Sequence, residues 1–296
     1  MTYSRETLDR YLRAPPSNPG GFRGRGIVIS AGAFYLISGY VAIRSLRAAG
    51  CGLPIQLWHL GAEELPPAVR PLFEKHGVEC IDSHEVRKVH PMRVLGGWQN
   101  KLFSIAHSPF EEVLSFDADN VALADPAPLF ADPDYRAHGQ IFWPDFLFAE
   151  ANDWTIKPFA WDFLGLPSRT GAELESGQLL MNKAQSWEPL MLAFHMNEHP
   201  EFYYERCTFG DKDTYRLAWE TLGLHPYVIP KRPEMLEDLV RIQHAPDGTG
   251  LFQHSRKWLL PLARNEHLPS FRLERECLEW LAEFEKGLQQ AGIRFT

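Results

Sequence analysis

Asp117-Ala118-Asp119 sets two carboxylates one small residue apart, directly after the apolar run Val113-Leu114-Ser115-Phe116. Carboxylate oxygens are hard donors of the kind that Mg²⁺ and Mn²⁺ select. If the strand continues through the pair, both side chains emerge on one face, because strand side chains alternate with a period of two. The crevice at the carboxyl ends of strands in an α/β sheet is where such a pair can grip a cation. A surface turn has the same composition, so the pair alone leaves both readings open.

Five further clusters carry side chains suited to a ligand held nearby. Gly32 and Tyr35 follow the run Gly26-Ile27-Val28-Ile29-Ser30. There a small residue lets a nucleotide approach the backbone and an aromatic ring stacks on a base, although an ordinary strand-to-helix turn reads the same. The full Gly-x-Gly-x-x-Gly is absent, which argues against a dinucleotide cofactor. Lys101, in Trp98-Gln99-Asn100-Lys101, is either a partner for a phosphate or sugar hydroxyl, or a solvated helical lysine. Glu175-Ser176-Gly177-Gln178 reads as a polar run leading into a strand, where Glu175 and Gln178 hold sugar hydroxyls, or as a plain loop. In Gly210-Asp211-Lys212-Asp213 an aspartate caps a helix, or Asp211 sits at a reaction centre. Within residues 251–258, His254 suits the last place on a metal held by two carboxylates, and Lys257 suits a phosphate; His244 competes with His254.

These groups need a scaffold, and the pattern of apolar residues supplies one. Residues 1–13 read as a short helix and 14–21 as a Pro/Gly breaker. Strands are expected at 26–30, 54–59, 78–81 and 113–116, with helices at 35–49, 66–76 and 98–107 between them. Such alternation predicts a largely parallel sheet wound with helices. Further strands are expected at 139–143, 178–182 and 227–229, and helices at 186–198 and 211–222. Residues 144–174, rich in proline and aromatics, read as irregular cover over the crevice. Trp143, Phe146, Phe148, Trp154, Phe159 and Trp161 there are either a platform for a sugar or core. Leu273, Cys277, Trp280, Leu281, Phe284 and Leu288 share one face of a final helix that Gly292 ends.

Bulk properties narrow the class. With 296 residues, 45% of them hydrophobic, the chain can build a sizeable core. A formal charge of −8 argues against a nucleic-acid partner. The four cysteines are widely spaced, unlike a zinc site or redox pair, which points to free thiols in a reducing compartment. No window approaches the roughly 18 apolar residues of a membrane helix, and the charged N-terminus lacks a signal-peptide core. A cytoplasmic protein without a transmembrane segment is expected, with peripheral membrane contact left open.

With these residues in view, the chain resembles the mannosyltransferase family typified by the fungal α-1,3- and α-1,2-mannosyltransferases. The similar stretches run in one order over residues 25–260 and include Leu53-Pro54-Ile55-Gln56-Leu57-Trp58, Gln99-Asn100-Lys101 and Asp117-Ala118-Asp119-Asn120. Phe142-Trp143-Pro144-Asp145, Glu175-Ser176-Gly177-Gln178 and Gly210-Asp211-Lys212-Asp213 continue the series. The resemblance implies a GT-A glycosyltransferase fold, α/β, with a mostly parallel Rossmann-like central sheet flanked by helices and a C-terminal helix. It implies one domain over 1–296, with 20–130 as the nucleotide-sugar half, 131–262 as the acceptor and catalytic half, and 263–296 as the C-terminal helix.

Implied with it is a retaining, metal-dependent transfer of mannose from GDP-mannose to a saccharide or glycoconjugate hydroxyl. The alternatives are a UDP-sugar donor or a sugar-binding protein without turnover. Carried onto this chain, the metal, Mn²⁺ or Mg²⁺, falls on Asp117, Asp119 and His254, and the transferring sugar on Asp211, Glu175 and Gln178. The resemblance also puts Lys101 near the donor, and with Asp117 it joins Gly32, Tyr35 and Lys257, read from the residues themselves, as the candidates for holding the nucleotide sugar. The fungal members are anchored in the Golgi membrane, and no anchor segment is read in this chain.

Overall fold

Ile27 and Ile29 of the opening strand point into one apolar core and Val28 into another, and all three are buried. Successive strand side chains face opposite ways, so a strand that is apolar throughout needs cover on both sides. The helices Leu36–Ala48 and Glu274–Gln290 supply it on one face, and Gly97–His107 with Lys183–Asn197 on the other. The computed structural model describes residues 3–148, 156–167, 172–237, 240–255 and 270–293.

The strands are β1 (Arg25–Ser30), β2 (Ile55–His59), β3 (Val78–Asp82), β4 (Glu112–Phe116), β5 (Asn120–Ala122), β6 (Gln140–Phe148), β7 (Ala172–Asn182), β8 (Glu234–Glu237), β9 (Val240–His244) and β10 (Gly250–Ser255). The central sheet has six of them in the order β3-β2-β1-β4-β7-β6. β1 to β4 run parallel, as the alternation predicts, and β7 and then β6 extend the sheet antiparallel. A second, four-stranded sheet has the order β5-β10-β9-β8 and is antiparallel. β5 belongs to the expected first half and β10 to the second, so the two halves share hydrogen bonds.

The C-terminal helix forms as its apolar face predicts. Phe284 stacks on Tyr40, with ring centroids 4.7 Å apart, while Glu283 accepts from Lys75 Nζ at 2.7 Å and pairs with Arg44. Gly287 lets Leu72 pack close to the helix, since a Cβ on it would lie 2.6 Å from a Leu72 methyl and push that side chain aside.

Three expectations are corrected. The helix expected at 66–76 shrinks to Arg70–Glu74, which has Pro71 in its first turn, where a missing N–H is tolerated. Residues 227–229 make only an isolated parallel bridge, Phe142 to Val228, because Pro226 and Pro230 flank them and cannot donate to a ladder. Within 144–174, the described residues 144–148, 156–167 and 172–174 are more regular than expected. β6 passes through Pro144 because it is the edge of its sheet, and a Pro158–Leu164 helix follows. The second sheet had no counterpart in the sequence reading beyond the 251–258 cluster. Trp143 and Trp161 are core, Trp154 lies outside the described residues, and nothing is described of the Phe148 side chain. Among the described residues no helix is long and apolar enough to cross a membrane.

Two histidines are packed where a proton is unwelcome. The His195 ring stacks on Tyr11 at 4.1 Å, and its Nε2 is 3.0 Å from the Tyr3 hydroxyl. Burial lowers its pKa from 6.5 to about 4, and that of His107 to about 3. Both folded values lie below the unfolded one, so the unfolded chain alone takes up protons as pH falls below 6.5, and stability is lost in that window. Each histidine contributes a slope of up to about 1.4 kcal/mol per pH unit there. H195Q is expected to lose less stability than the wild type between pH 7 and pH 4.5 in urea unfolding. Parallel losses for the two proteins would contradict the assignment.

Candidate active site

β4 gives out at Phe116, and the chain turns through Asp117-Ala118-Asp119 before β5 begins at Asn120. The two carboxylates therefore sit on a turn, and the strand alternation expected to align them does not operate. The turn is fixed by its backbone instead: Asp117 N donates to Gly177 O at 2.7 Å, and Asn120 N to Asp117 O at 3.1 Å. Both aspartates line one cleft of about 1040 Å³ at the carboxyl ends of β1 and β4. That is where open α/β sheets bind their ligands.

Two cations hold the acidic groups of this cleft together. Lys101, on the Gly97–His107 helix, donates from Nζ to Asp117 Oδ2 at 2.9 Å and to Ser176 O at 3.1 Å, and lies 3.6 Å from Asp211 Oδ2. Burial opposes its charge, but Asp117 and Asp211 outweigh burial and raise its pKa. His254 bridges the other two carboxylates, with Nε2 3.3 Å from Asp119 Oδ2 and Nδ1 3.4 Å from Glu175 Oε2. Burial alone would neutralise the imidazole, yet these two carboxylates hold its pKa well above the usual range. In return, His254 outweighs burial to keep Asp119 and Glu175 below the ordinary carboxylate range. Asp117 is pushed the other way: burial raises it, and Asp119 adds to the shift against the pull of Lys101.

Glu175-Ser176-Gly177-Gln178 is not a lead-in to a strand, since all four lie inside the eleven-residue β7. Oε1 of Glu175 accepts from the backbone N–H of Ser176 and of Gly177, each at 2.8 Å. Gly177 lets the imidazole lie against the strand, because a Cβ there would be 3.2 Å from both His254 Nδ1 and Asn120 Nδ2. Asp211 precedes the Lys212–Thr221 helix without capping it through its side chain, and its Oδ2 receives no hydrogen bond. The next residue, Lys212, donates to Asp145 at 2.7 Å and to Glu173 at 2.5 Å, tying the start of that helix to β6 and β7.

The remaining expected residues divide. Tyr35 stands at the rim, about half exposed, with Phe34 edge-on at 6.0 Å. Gly32 lines the cleft, but the group seated against it is Glu64: a Cβ on Gly32 would lie 2.1 Å from Glu64 Oε2. Gln178 lies beneath the cleft, fully buried, its Oε1 3.2 Å from Asn120 Nδ2. Lys257 lies outside the described residues. Of the two competing histidines, His254 lines the cleft, whereas His244 is buried in β9 and its carbonyl accepts from Trp143. Arg241 was missed. It pairs across the ladder with His254, lines the cleft, and lies 3.9 Å from Glu175 Oε2 and 3.9 Å from the centre of the Phe146 ring. The period of two in Val240-Arg241-Ile242 was the available signal, but it needed β9 to be recognised first.

The donor chemistry suits a hard divalent cation. Asp117 and Asp119 are adjacent carboxylates in a cleft where Asp211 Oδ2 is buried without a hydrogen-bond partner. Extra positive charge there opposes the burial, and the lesser repulsion from Asp119, that raise Asp117. Among the described residues no three His, Cys, Asp or Glu side chains already converge as a metal cage, and His254 serves as a countercharge between carboxylates.

A family model described as "Mannosyltransferase putative" matches residues 24–164 and 166–241. The α-1,2-mannosyltransferase MNN21 of Candida albicans is 27% identical over 268 residues, which cover 73% of this chain and 41% of that protein. The α-1,2-mannosyltransferase MNN2 of Saccharomyces cerevisiae is 24% identical over 280 residues, covering 78% and 46%. The chain thus spans less than half the length of these relatives. Among solved structures, the glycosyltransferase GlyE of Streptococcus pneumoniae TIGR4 superposes with a TM-score of 0.52 at 12% identity, over 93% of this chain and 65% of that one. The bifunctional glycosyltransferase WbbM gives a TM-score of 0.51 at 16% identity, over 68% and 38%. The fold is the GT-A glycosyltransferase fold.

The arrangement makes Lys101 a test of the electrostatics. K101M leaves Asp117 and Asp211 facing each other without their shared cation, and is expected to cost about 3–5 kcal/mol of stability at pH 8. The loss should shrink at pH 5.5, where Asp117 takes up a proton. A loss below about 1 kcal/mol at both pH values, read from urea unfolding, would remove Lys101 from this role.

Proposed function

Because the chain belongs to this mannosyltransferase family, we propose that it is a metal-dependent retaining glycosyltransferase that moves mannose from GDP-mannose to a hydroxyl of a saccharide or glycoconjugate. The observation that carries the reading is the carboxylate pair on the turn after β4, opening into a cleft that also holds Glu175 and Asp211. Residues 20–130 would bind the nucleotide and residues 131–262 the acceptor and the reacting sugar. A divalent cation, Mn²⁺ or Mg²⁺, would be held by Asp117 and Asp119, with His254 as third ligand once the imidazole gives up the proton it holds between Asp119 and Glu175, and would neutralise the charge that develops on the departing diphosphate.

The chain's own groups have distinct tasks in this proposal. Lys101 keeps Asp117 and Asp211 side by side, so the cation site and the reacting sugar are spaced by one ammonium. Arg241, opposite His254, adds a cation to the wall that faces the diphosphate. Retention asks for a negative group near the anomeric carbon, whether departure and attack share one face or a covalent intermediate forms on a carboxylate. Glu175 is poorly suited to be that group, since two backbone N–H donors and His254 already engage it. Asp211, with an oxygen that accepts no hydrogen bond, is the better candidate. Gln178 acts through Asn120 from beneath.

Incubation with a panel of nucleotide sugars and Mn²⁺ is expected to release nucleoside diphosphate with GDP-mannose foremost. Nucleoside monophosphate would indicate a hydrolase or nucleotidyltransferase, and no release a binding protein. GDP is expected to raise the melting temperature more than UDP, since a ligand that binds only the folded state stabilises by mass action. The reverse order would assign a UDP-sugar donor. D211N is expected to slow transfer by about a hundredfold or more. Transfer within a few-fold of the wild type would exclude Asp211 from the reacting centre.

A further inference from the structure

Large apolar rings on a protein surface call for an explanation when they cluster at a cleft. Trp98 is 53% exposed and Phe209 72% exposed, and their ring centroids are 6.5 Å apart. Trp98 lines the cleft beside Asp211 and Lys101.

The indole is held in place from several sides. Tyr204 meets it edge-on at 5.6 Å, and the Tyr204 hydroxyl is in turn bonded to Asn197, whose amide donates to Thr214 at 2.8 Å. Gly210 lies beneath the ring: its φ is +87°, and a Cβ there would come within 3.3 Å of Trp98 Cζ3. A backbone conformation that favours glycine is therefore used where a flat ring must rest. None of this ordering buries the outer side of the indole.

We propose that Trp98, with Phe209 beside it, is the shelf on which a pyranose ring of the acceptor stacks, an inference that rests on the glycosyltransferase reading above. A pyranose presents one face of C–H bonds and a rim of hydroxyls, which suits an open aromatic ring bordered by polar groups. Position selects the acceptor over the nucleobase. Gly210, under the indole, directly precedes Asp211, and Lys101, one turn along the helix from Trp98, contacts Asp211 and Asp117. The shelf thus adjoins the carboxylate assigned to the reacting carbon. In this reading the base falls instead to the rim aromatics Phe34 and Tyr35, which pack edge-on on the turn after β1.

Two measurements test the shelf. In steady-state transfer to a mannotriose, W98A is expected to raise the KM for the acceptor about tenfold and the KM for the donor less than twofold, with W98F restoring most of the acceptor binding. A rise confined to the donor KM would move the shelf to the base, and an acceptor KM within twofold of the wild type would abolish it. The second measurement does not depend on turnover. The chain has nine tryptophans. In protein labelled with 5-fluorotryptophan, the ¹⁹F resonance missing from W98F identifies Trp98, and titration with mannotriose, maltotriose and lactose is expected to move that resonance more than the others. If none of the three moves it, the shelf is overturned. If the wild type releases no nucleoside diphosphate while the resonance does move, the shelf stands as a saccharide site and the transferase reading fails.

Discussion

One ammonium group governs the geometry of this cleft. Asp117 comes from the end of a parallel strand and Asp211 from the approach to a helix almost a hundred residues later, and Lys101 draws both toward its Nζ. Without a cation between them, two carboxylates in a partly buried cleft repel and take up protons. His254 does the same for Asp119 and Glu175, so four acids and two cations form a lattice whose members stem from five separate segments. Such a lattice is sensitive to position, since each charge is held by the others, and it leaves negative charge in excess on the side that faces the cleft. That excess is what a divalent ion and an electron-poor sugar would answer to.

The antiparallel extension of the sheet serves the same end. A parallel strand beside β4 would need a long crossover before it could return. β7 instead begins beyond the carboxyl end of β4 and then runs back along it, so that Glu175, Ser176 and Gly177 lie next to Asp117. β5 then leaves the turn to join β10 in the second sheet, and that pairing brings His254 opposite Asn120. The second sheet is small, but it delivers the imidazole and the guanidinium of Arg241 to the same wall.

Much of the first half was legible in the sequence because its strands are apolar on both faces and its helices alternate with them. The Ile27–Ile29 run, the buried stretch before Asp117 and the Phe284 face of the last helix all formed where their patterns put them. β7 was half hidden because its polar Glu175-Ser176-Gly177 portion extends beyond β4, where the next layer is a cleft and not a core. β8 to β10 were hidden for another reason: they are short, carry charged residues, and owe their strand conformation to one another and to a three-residue β5 far away in the chain. Lys101 was visible as a candidate, but its partners were not, because a helical lysine's contacts depend on what the fold sets opposite it. His254 could be chosen from the sequence only by first accepting the carboxylates, and Arg241 only by first recognising the short strand β9.

Pro144 has a consequence beyond the strand it interrupts. β6 is the outermost strand of the central sheet, and an outermost strand normally displays unmet N–H and C=O groups along its free side. Here Phe142 gives its N–H to Tyr227 and its carbonyl to Ile229, Pro144 has no N–H, and Gln243 occupies the Pro144 carbonyl at 3.0 Å. A stray peptide or an unfolded copy of the chain finds no template along this stretch on which to add itself, so the sheet ends in a border that resists aggregation.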